Sequence, residues 1–305
     1  MAFAHEPVML SEVVDAVVDA QPELIVDCTL GGAGHAAALL DAATGARLIG
    51  IDRDPEAVVA ATKRLAPFGA RVRIVHGRFS ELRDVVAGER VGALIADLGV
   101  SSHQLDTIER GFSFRGDAVL DMRMDPTGGE TARDILARID ERDLATAIRS
   151  LGEERCALRV SRAILAAAPT TTAELAFAIR AIVPRSRDGI DPATRTFQAL
   201  RMLVNRELDE LAALLGAVPD LLADGGVACV ISFHSLEDRA VKTAFRHAAS
   251  RCECPPSLPI CLCGLTPTLE ILTKRPRRAG LSELQRNPRS RSAKLRVARR
   301  IRRPS

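Results

Sequence analysis

Short apolar runs ending on an acid alternate with amphipathic stretches through the first hundred residues. Leu24-Ile-Val-Asp27, Leu48-Ile-Gly-Ile-Asp52 and Ala93-Leu-Ile-Ala-Asp97 are each flanked by helical patterns, which predicts parallel strands of an open α/β sheet. Arg71 to His76 supplies a further strand, after a helix from about Pro55 to Leu65. From about Asp106 to Ile190 the strand pattern stops. Helical periodicity replaces it over Ala132 to Ile139, Arg142 to Leu151, Glu153 to Ala168 and Ala173 to Val183. The last of these opens on a capping box from Thr171 to Glu174 and ends before Pro184. Such a stretch is too long for a loop and reads as a helical insertion, a natural place for substrate recognition. Asp191-Pro192 predicts the start of a long helix running through Met202 towards Leu215. Val227 to Phe233 is the fifth strand and Leu236 to Ala249 a helix. Leu269 to Lys274 and Ala293 to Ala298 form a late pair of strands joined by a basic loop.

Open sheets of this kind bind ligands outside the carboxyl ends of their strands, where Asp27, Asp52 and Asp97 fall. Glycines at 31, 32 and 34 let the backbone approach a ligand closely. Gly32-Ala-Gly34-His-Ala-Ala37 can be read as a dinucleotide loop, with Asp52 placed for a ribose, but Asp27 would sit awkwardly beside a pyrophosphate. S-adenosyl-L-methionine fits three acids better. It has no phosphate, its ribose diol suits Asp52, and its amino group and sulfonium favour nearby negative charge. The alternative, that these acids only terminate strands, rests on how common Asp is at such turns. Seven strands with a late pair rather than another crossover fit a class I (Rossmann-like) methyltransferase sheet better than a dehydrogenase sheet. The expected division is a sheet domain of residues 1–105 and 191–305 with an all-helical domain, 106–190, inserted in it.

The net charge of +3 hides an asymmetry. Residues 273–305 hold thirteen Lys and Arg against Glu283 alone, so the end of the chain carries +12 and the rest −9. That split predicts contact with a polyanion, a solvated tail being the plainer alternative. The N-terminus lacks a basic region followed by an apolar one and no run of eighteen apolar residues occurs, so a cytoplasmic protein without a membrane partner is expected. Of seven cysteines, Cys252, Cys254, Cys261 and Cys263 form two Cys-x-Cys pairs around a Pro-rich loop. Structural zinc sites favour two-to-four-residue spacings, so a reduced loop without metal is expected.

Several longer motifs are specific together. His5-Glu-Pro-Val-Met-Leu10, Thr29-Leu-Gly-Gly-Ala-Gly-His35, Asp97-Leu-Gly-Val-Ser-Ser102, Glu109-Arg-Gly-Phe-Ser-Phe-Arg115, Leu120-Asp-Met-Arg-Met-Asp-Pro126, Ala193-Thr-Arg-Thr-Phe-Gln-Ala199, Ser232-Phe-His-Ser-Leu-Glu-Asp-Arg239 and Asn287-Pro-Arg-Ser-Arg-Ser292 closely resemble the small-subunit ribosomal RNA methyltransferase H family, also called MraW. The resemblance spans nearly the whole chain. It implies an enzyme that uses S-adenosyl-L-methionine to methylate the exocyclic N4 of a cytidine in the decoding region of 16S rRNA, with 16S rRNA or the small ribosomal subunit as partner. It also implies cofactor contacts from Gly32, Ala33, Gly34, His35, Asp52, Phe79, Asp97 and Gln104. The family more often has Gly at 33 and Pro at 103, where this chain has Ala33 and His103. The methyl at 33 is tolerable if that residue does not need positive φ.

A cytidine amine is a poor nucleophile, so the site needs acceptors that hold its hydrogens and aim its lone pair. His234, in the turn after the fifth strand, is the candidate proton acceptor, with packing or backbone binding as its alternative role. Phe112, Phe114 and Phe233 are candidates for stacking on a flipped base. Arg110, Arg115, Arg123, Arg195, Arg239 and the tail arginines, among them Arg289, Arg291 and Arg296, are candidate phosphate contacts. A methyltransferase of another substrate, and a catalytically silent RNA-binding assembly factor, are the rival functions. The sequence leaves the oligomeric state open.

Overall fold

The computed structural model describes residues 7–185, 189–252, 254 and 263–302, so Cys261 lies outside the described residues. Two compact units are present, Met1–Gly99 with Asp209–Ser305, and Val100–Leu208.

The first unit holds a seven-stranded sheet built from β1 (Leu24–Asp27), β2 (Arg47–Asp52), β3 (Val72–His76), β4 (Val91–Asp97), β5 (Leu222–Ser232), β6 (Leu269–Ile271) and β7 (Lys294–Arg300). Their order is β3-β2-β1-β4-β5-β7-β6. β1 to β5 are parallel, whereas β7 runs antiparallel between β5 and β6. Side chains alternate between the two faces, so Leu24 and Val26 enter one core while Ile25 enters the other. Helices α1 (Leu10–Asp19), α2 (Gly34–Ala42) and α3 (Pro55–Leu65) cover one face through Val13, Val17, Leu39, Leu40 and Leu65. On the other lie α4 (Leu82–Val86) and two helices named below, contributing Leu82, Leu214, Val218, Val241 and Phe245. Covered on both faces, the strands are near-continuous apolar runs, as parallel sheets require.

The second unit contains α5 (Ser102–Asp106), α6 (Ala132–Arg138), α7 (Glu141–Gly152), α8 (Ala157–Ala167), α9 (Thr172–Arg180) and α10 (Thr194–Asn205), around its own core of Leu120, Leu144, Ile148, Ile164, Leu175 and Phe197. The expected boundaries at 106 and 190 both fall inside this unit. α5 belongs to it, and α10 packs into its core through Phe197 and Leu200. The helix expected to run unbroken from 191 to about 215 is two helices. Asp191 accepts the Ala193 N–H at 2.9 Å and pairs with Arg180, making a turn, so the helix begins at Thr194. It stops where Arg206 takes φ 50°, beside an Asn205 amide whose Nδ2 donates to the Met122 carbonyl (2.7 Å) and whose Oδ1 accepts from the Met124 N–H (2.8 Å). The chain resumes as α11 (Glu207–Leu221). Helix α12 (Ser235–Ala248) follows β5, and the short α13 (Leu281–Arg286) precedes β7. No helix among the described residues is long and apolar enough to cross a membrane.

Four cations of the basic tail, Lys294, Arg296, Arg299 and Arg300, therefore belong to a strand of the sheet. Arg296 is 7% exposed and binds Asp238 at 2.7 Å, Lys294 binds the same carboxylate at 3.2 Å, and Arg299 pairs with Asp19. Arg296 is not a phosphate contact, and the loop before β7 keeps the exposed cations Arg277, Arg278, Arg286, Arg289 and Arg291.

Candidate active site

Register places the three acids at one edge of the sheet, at the carboxyl ends of neighbouring strands. Asp27, on β1, lies opposite Gly50 of β2 and Ile95 of β4, two residues short of Asp52 and Asp97 respectively. Their surroundings differ. Asp27 accepts the Thr29 N–H (3.1 Å), and burial pushes its carboxyl up to about 7 against Thr29's hydrogen bonding, with Asp52 adding to the rise. Asp52 accepts from Gly31 N–H on Oδ2 (2.7 Å) and from Asp54 N–H on Oδ1 (2.9 Å). It thus ties the glycine loop to β2. Burial raises it to about 6 against the lowering effect of those two bonds. Asp97, anchored by its N–H to Thr29 Oγ1 at 2.6 Å, is raised well above the ordinary carboxylate range by burial and then by Asp27, Glu237 and Glu283. Its Oδ1 is buried with no hydrogen-bond partner among the described residues. The other oxygen, Oδ2, lies 3.9 Å from His35 Nδ1, and a buried, unpartnered carboxylate oxygen with three further acids acting on it suits a cation.

The glycine loop is walled by the N-terminal segment. His35 Nε2 contacts the Val8 carbonyl at 2.9 Å, and a Cβ on Gly34 would come within 2.3 Å of the Pro7 ring. Glu283 of α13 accepts the Met9 N–H at 2.8 Å, bringing the basic loop to the same carboxyl edge of the sheet. Gly32 gives its carbonyl to Arg64 (3.1 Å). Ala33 corrects an expectation, for it sits at φ 57°, in the left-handed region. That conformation costs about 1 to 2 kcal/mol for a residue with a Cβ. The methyl is fully buried in the core beside α2, which offsets much of the strain.

Phe79 begins a short turn after β3 and half-buries its ring against the sheet core. Gln104 belongs to the helical unit, where it is buried and completes a capping box with Ser101 at the start of α5. His234 is the N-cap of α12. Its Nδ1 accepts the Glu237 N–H at 3.4 Å, and its Nε2 lies 3.0 Å from Glu237 Oε1 without the alignment of a hydrogen bond. Both ring nitrogens face Glu237, so His234 holds the β5–α12 turn. Phe112 is buried, and Phe114 meets Phe197 edge to face at 5.0 Å under the Arg180 guanidinium, so both serve the helical core. Arg110 is buried on the carbonyls of Arg123 and Met124, and Arg123 is held by Asp121. Arg115, Arg195 and Arg239 are exposed. Glu237 and Glu283 were not among the expected site residues, although Glu237 stands three after His234, the spacing of a capping box.

A sheet in this order with β7 antiparallel, a glycine turn after β1 and acids ending β1, β2 and β4 is the fold of an S-adenosylmethionine-dependent class I methyltransferase. The chain belongs to the MraW methylase family, whose model matches residues 2–301. It is similar to a Ribosomal RNA small subunit methyltransferase H from Anaeromyxobacter sp. (strain K), 48% identical with 98% of this chain and 99% of that protein covered. A protein of the same name from Myxococcus xanthus (strain DK1622) is 50% identical, with 98% of each covered. Among solved structures, an rRNA methylase from Streptococcus thermophilus is a distant likeness, with a TM-score of 0.42 and 10% identity over 98% of this chain and 99% of that one.

Proposed function

We propose that this protein transfers a methyl group from S-adenosyl-L-methionine to the exocyclic N4 of a cytidine in the decoding region of small-subunit (16S) rRNA, in the cytoplasm. The observation that carries the cofactor half is the trio of adjacent strand-end acids with Asp97 Oδ1 left unpartnered. Family membership supports the rRNA half. The cofactor supplies an electrophilic methyl on a sulfonium centre. Asp52 would hold the ribose diol on lone pairs left over from its two backbone bonds, while Asp97 and Asp27 would face the cationic amino-acid end. Among the named site residues of the sheet unit, Gly32, Ala33, Gly34 and His35 would form the loop beneath the cofactor and Phe79 would border its base.

The nucleophile's difficulty is electronic, since the cytidine N4 lone pair is delocalised into the ring. Alignment supplies much of the acceleration such a reaction needs, together with acceptors that keep the amine hydrogens turned away from the methyl. The peptide carbonyls of the turn after Asp97 would be those acceptors. The methylated amine then loses its proton to water, and no step requires His234 as a base. The helical unit and the exposed arginines of the α13 loop are assigned to rRNA binding. Mass spectrometry of small-subunit rRNA from cells with and without the protein tests the assignment, an unchanged cytidine N4 methylation level counting against it.

Two outcomes follow for binding. A cation beside Asp27 lowers a carboxyl that stands at about 7, so binding releases a proton. Cofactor affinity should rise between pH 5 and about 8, by up to roughly tenfold per unit where one proton is released, and level off above. For the free protein the sign reverses. Acids with raised values stabilise the fold when protonated, and this contribution is lost as pH rises through about 6 to 7. Calorimetry in two buffers of different ionisation heat checks it, and a flat profile without proton release would show that the acids do not face the cofactor. Replacing exposed Arg289 and Arg291 by Ala should weaken RNA binding and reduce the slope of log affinity against log salt by roughly 0.7 to 0.9 for each phosphate no longer neutralised. An unaltered slope in filter binding would remove this loop from the RNA surface.

A further inference from the structure

Three thiols converge beyond the C-terminal end of α12. The Sγ atoms of Cys252, Cys254 and Cys263 all lie within 4.8 Å of one another. The sulfurs of Cys252 and Cys254 already lie within 4.8 Å of each other, so the Cys-x-Cys spacing is no obstacle to a shared ligand. The Cys254 N–H donates to Cys252 Sγ at 3.4 Å, which holds the two thiols on one turn. Ser250 holds the turn, its Oγ donating to the Cys252 carbonyl (2.8 Å) and accepting the Cys252 N–H (3.3 Å). Cys28 and Cys229 are a contrast, being enclosed in the apolar core, where burial pushes the Cys229 thiol up to about 12.

A disulfide would use two of the three sulfurs and leave the third facing the bond. Tetrahedral zinc uses all three. With zinc–sulfur bonds of about 2.3 Å its thiolate ligands sit about 3.8 Å apart, inside the 4.8 Å that bounds the spacing here. We infer that Cys252, Cys254 and Cys263 bind one zinc ion as thiolates, which reverses the expectation of a metal-free loop. On binding, each thiol gives its proton to solvent and forms one sulfur–zinc bond, and the fourth position is filled from outside this trio.

The ion acts as a clip. The segment between α12 and β6 is closed at its feet by the Thr268 N–H donating to the Ala248 carbonyl at 2.7 Å, and zinc would fasten the chain beyond that closure. α12 starts at the carboxyl edge of the sheet and its 14 residues span about 21 Å, so the thiols lie at the opposite end of the helix from the strand-end acids. Loss of zinc should therefore lower the melting temperature and leave cofactor affinity nearly unchanged.

Elemental analysis of the full-length protein, purified under reducing conditions without added metal, should give about one zinc per chain. The Cys252→Ser/Cys263→Ser double variant should lose it while still binding S-adenosylmethionine within about twofold of the parent, which shows that the variant is folded. Cobalt(II) substituted for zinc should give thiolate-to-metal charge-transfer absorption that the double variant lacks. A reduced protein that takes up no zinc even on reconstitution, a double variant that keeps the full complement, or copper in place of zinc would each overturn the assignment.

Discussion

Asp97→Asn should weaken S-adenosylmethionine binding by roughly 10- to 150-fold, the loss expected for one charge-assisted hydrogen bond in a buried setting. The same substitution should raise the melting temperature of the free protein. The carboxylate is buried, its Oδ1 has no partner among the described residues, and Asp27, Glu237 and Glu283 repel it. An amide of the same shape is neutral and can donate towards those acids. A residue that only ended a strand would show neither effect. Weaker binding and greater stability together identify a group held in an unfavourable state for a ligand. Calorimetry and a thermal melt on one sample at pH 8 are sufficient. Unchanged affinity would remove Asp97 from the cofactor site, and a falling melting temperature would show that its charge is satisfied in the free protein.

The second large effect is structural and lies in the helical unit. Gly152→Ala should destabilise that unit by about 2 kcal/mol, the net of overpacking against a small gain in helix propensity. A Cβ on Gly152 would lie 2.4 Å from the Arg195 carbonyl oxygen and 3.2 Å from the Ala199 methyl. The obstacle is mostly α10 backbone, which cannot swing aside as a long side chain would. The close approach is fastened on both sides, by Gln198 Nε2 donating to the Leu151 carbonyl (3.1 Å) and Arg195 donating to the Glu153 carbonyl (3.3 Å). Differential scanning calorimetry should show that unit's transition fall by roughly 8 to 10 °C. A shift under about one degree would mean that α7 and α10 can part at no cost. Cofactor affinity, which we assign to the sheet unit's acids, should fall far less than rRNA binding.

What was legible in the chain was whatever is written locally. The acid-terminated runs gave β1, β2 and β4, the late antiparallel pair was visible in the apolar pattern, and the motifs carried the family. Helix α1 escaped that reading although Leu10, Val13, Val14, Val17 and Val18 have helical spacing. It has no capping side chain to announce it, for Met9 stands at its N-cap with φ 53°. The break at Arg206 was not legible. It is accompanied by an Asn205 side chain binding backbone more than eighty residues earlier in the chain, and Ala193 to Leu215 is helix-compatible throughout. Arg296 misled for a related reason. Its charge is visible in sequence, but its partner Asp238 is 58 residues away. Glu283 was out of reach altogether, since its link to Met9 spans 274 residues. Ala33 breaks a local preference at a candidate cofactor loop, where sequence rules are most often violated.

The most direct test is to incubate purified protein, labelled S-adenosylmethionine and small ribosomal subunits from cells lacking the enzyme, then to digest the 16S rRNA and identify the labelled nucleoside by mass spectrometry. The expected product is N4-methylated cytidine from the decoding region, formed by the parent and strongly reduced in Asp97→Asn. Label at another atom or another RNA, or no transfer by a protein that binds the cofactor, would contradict it.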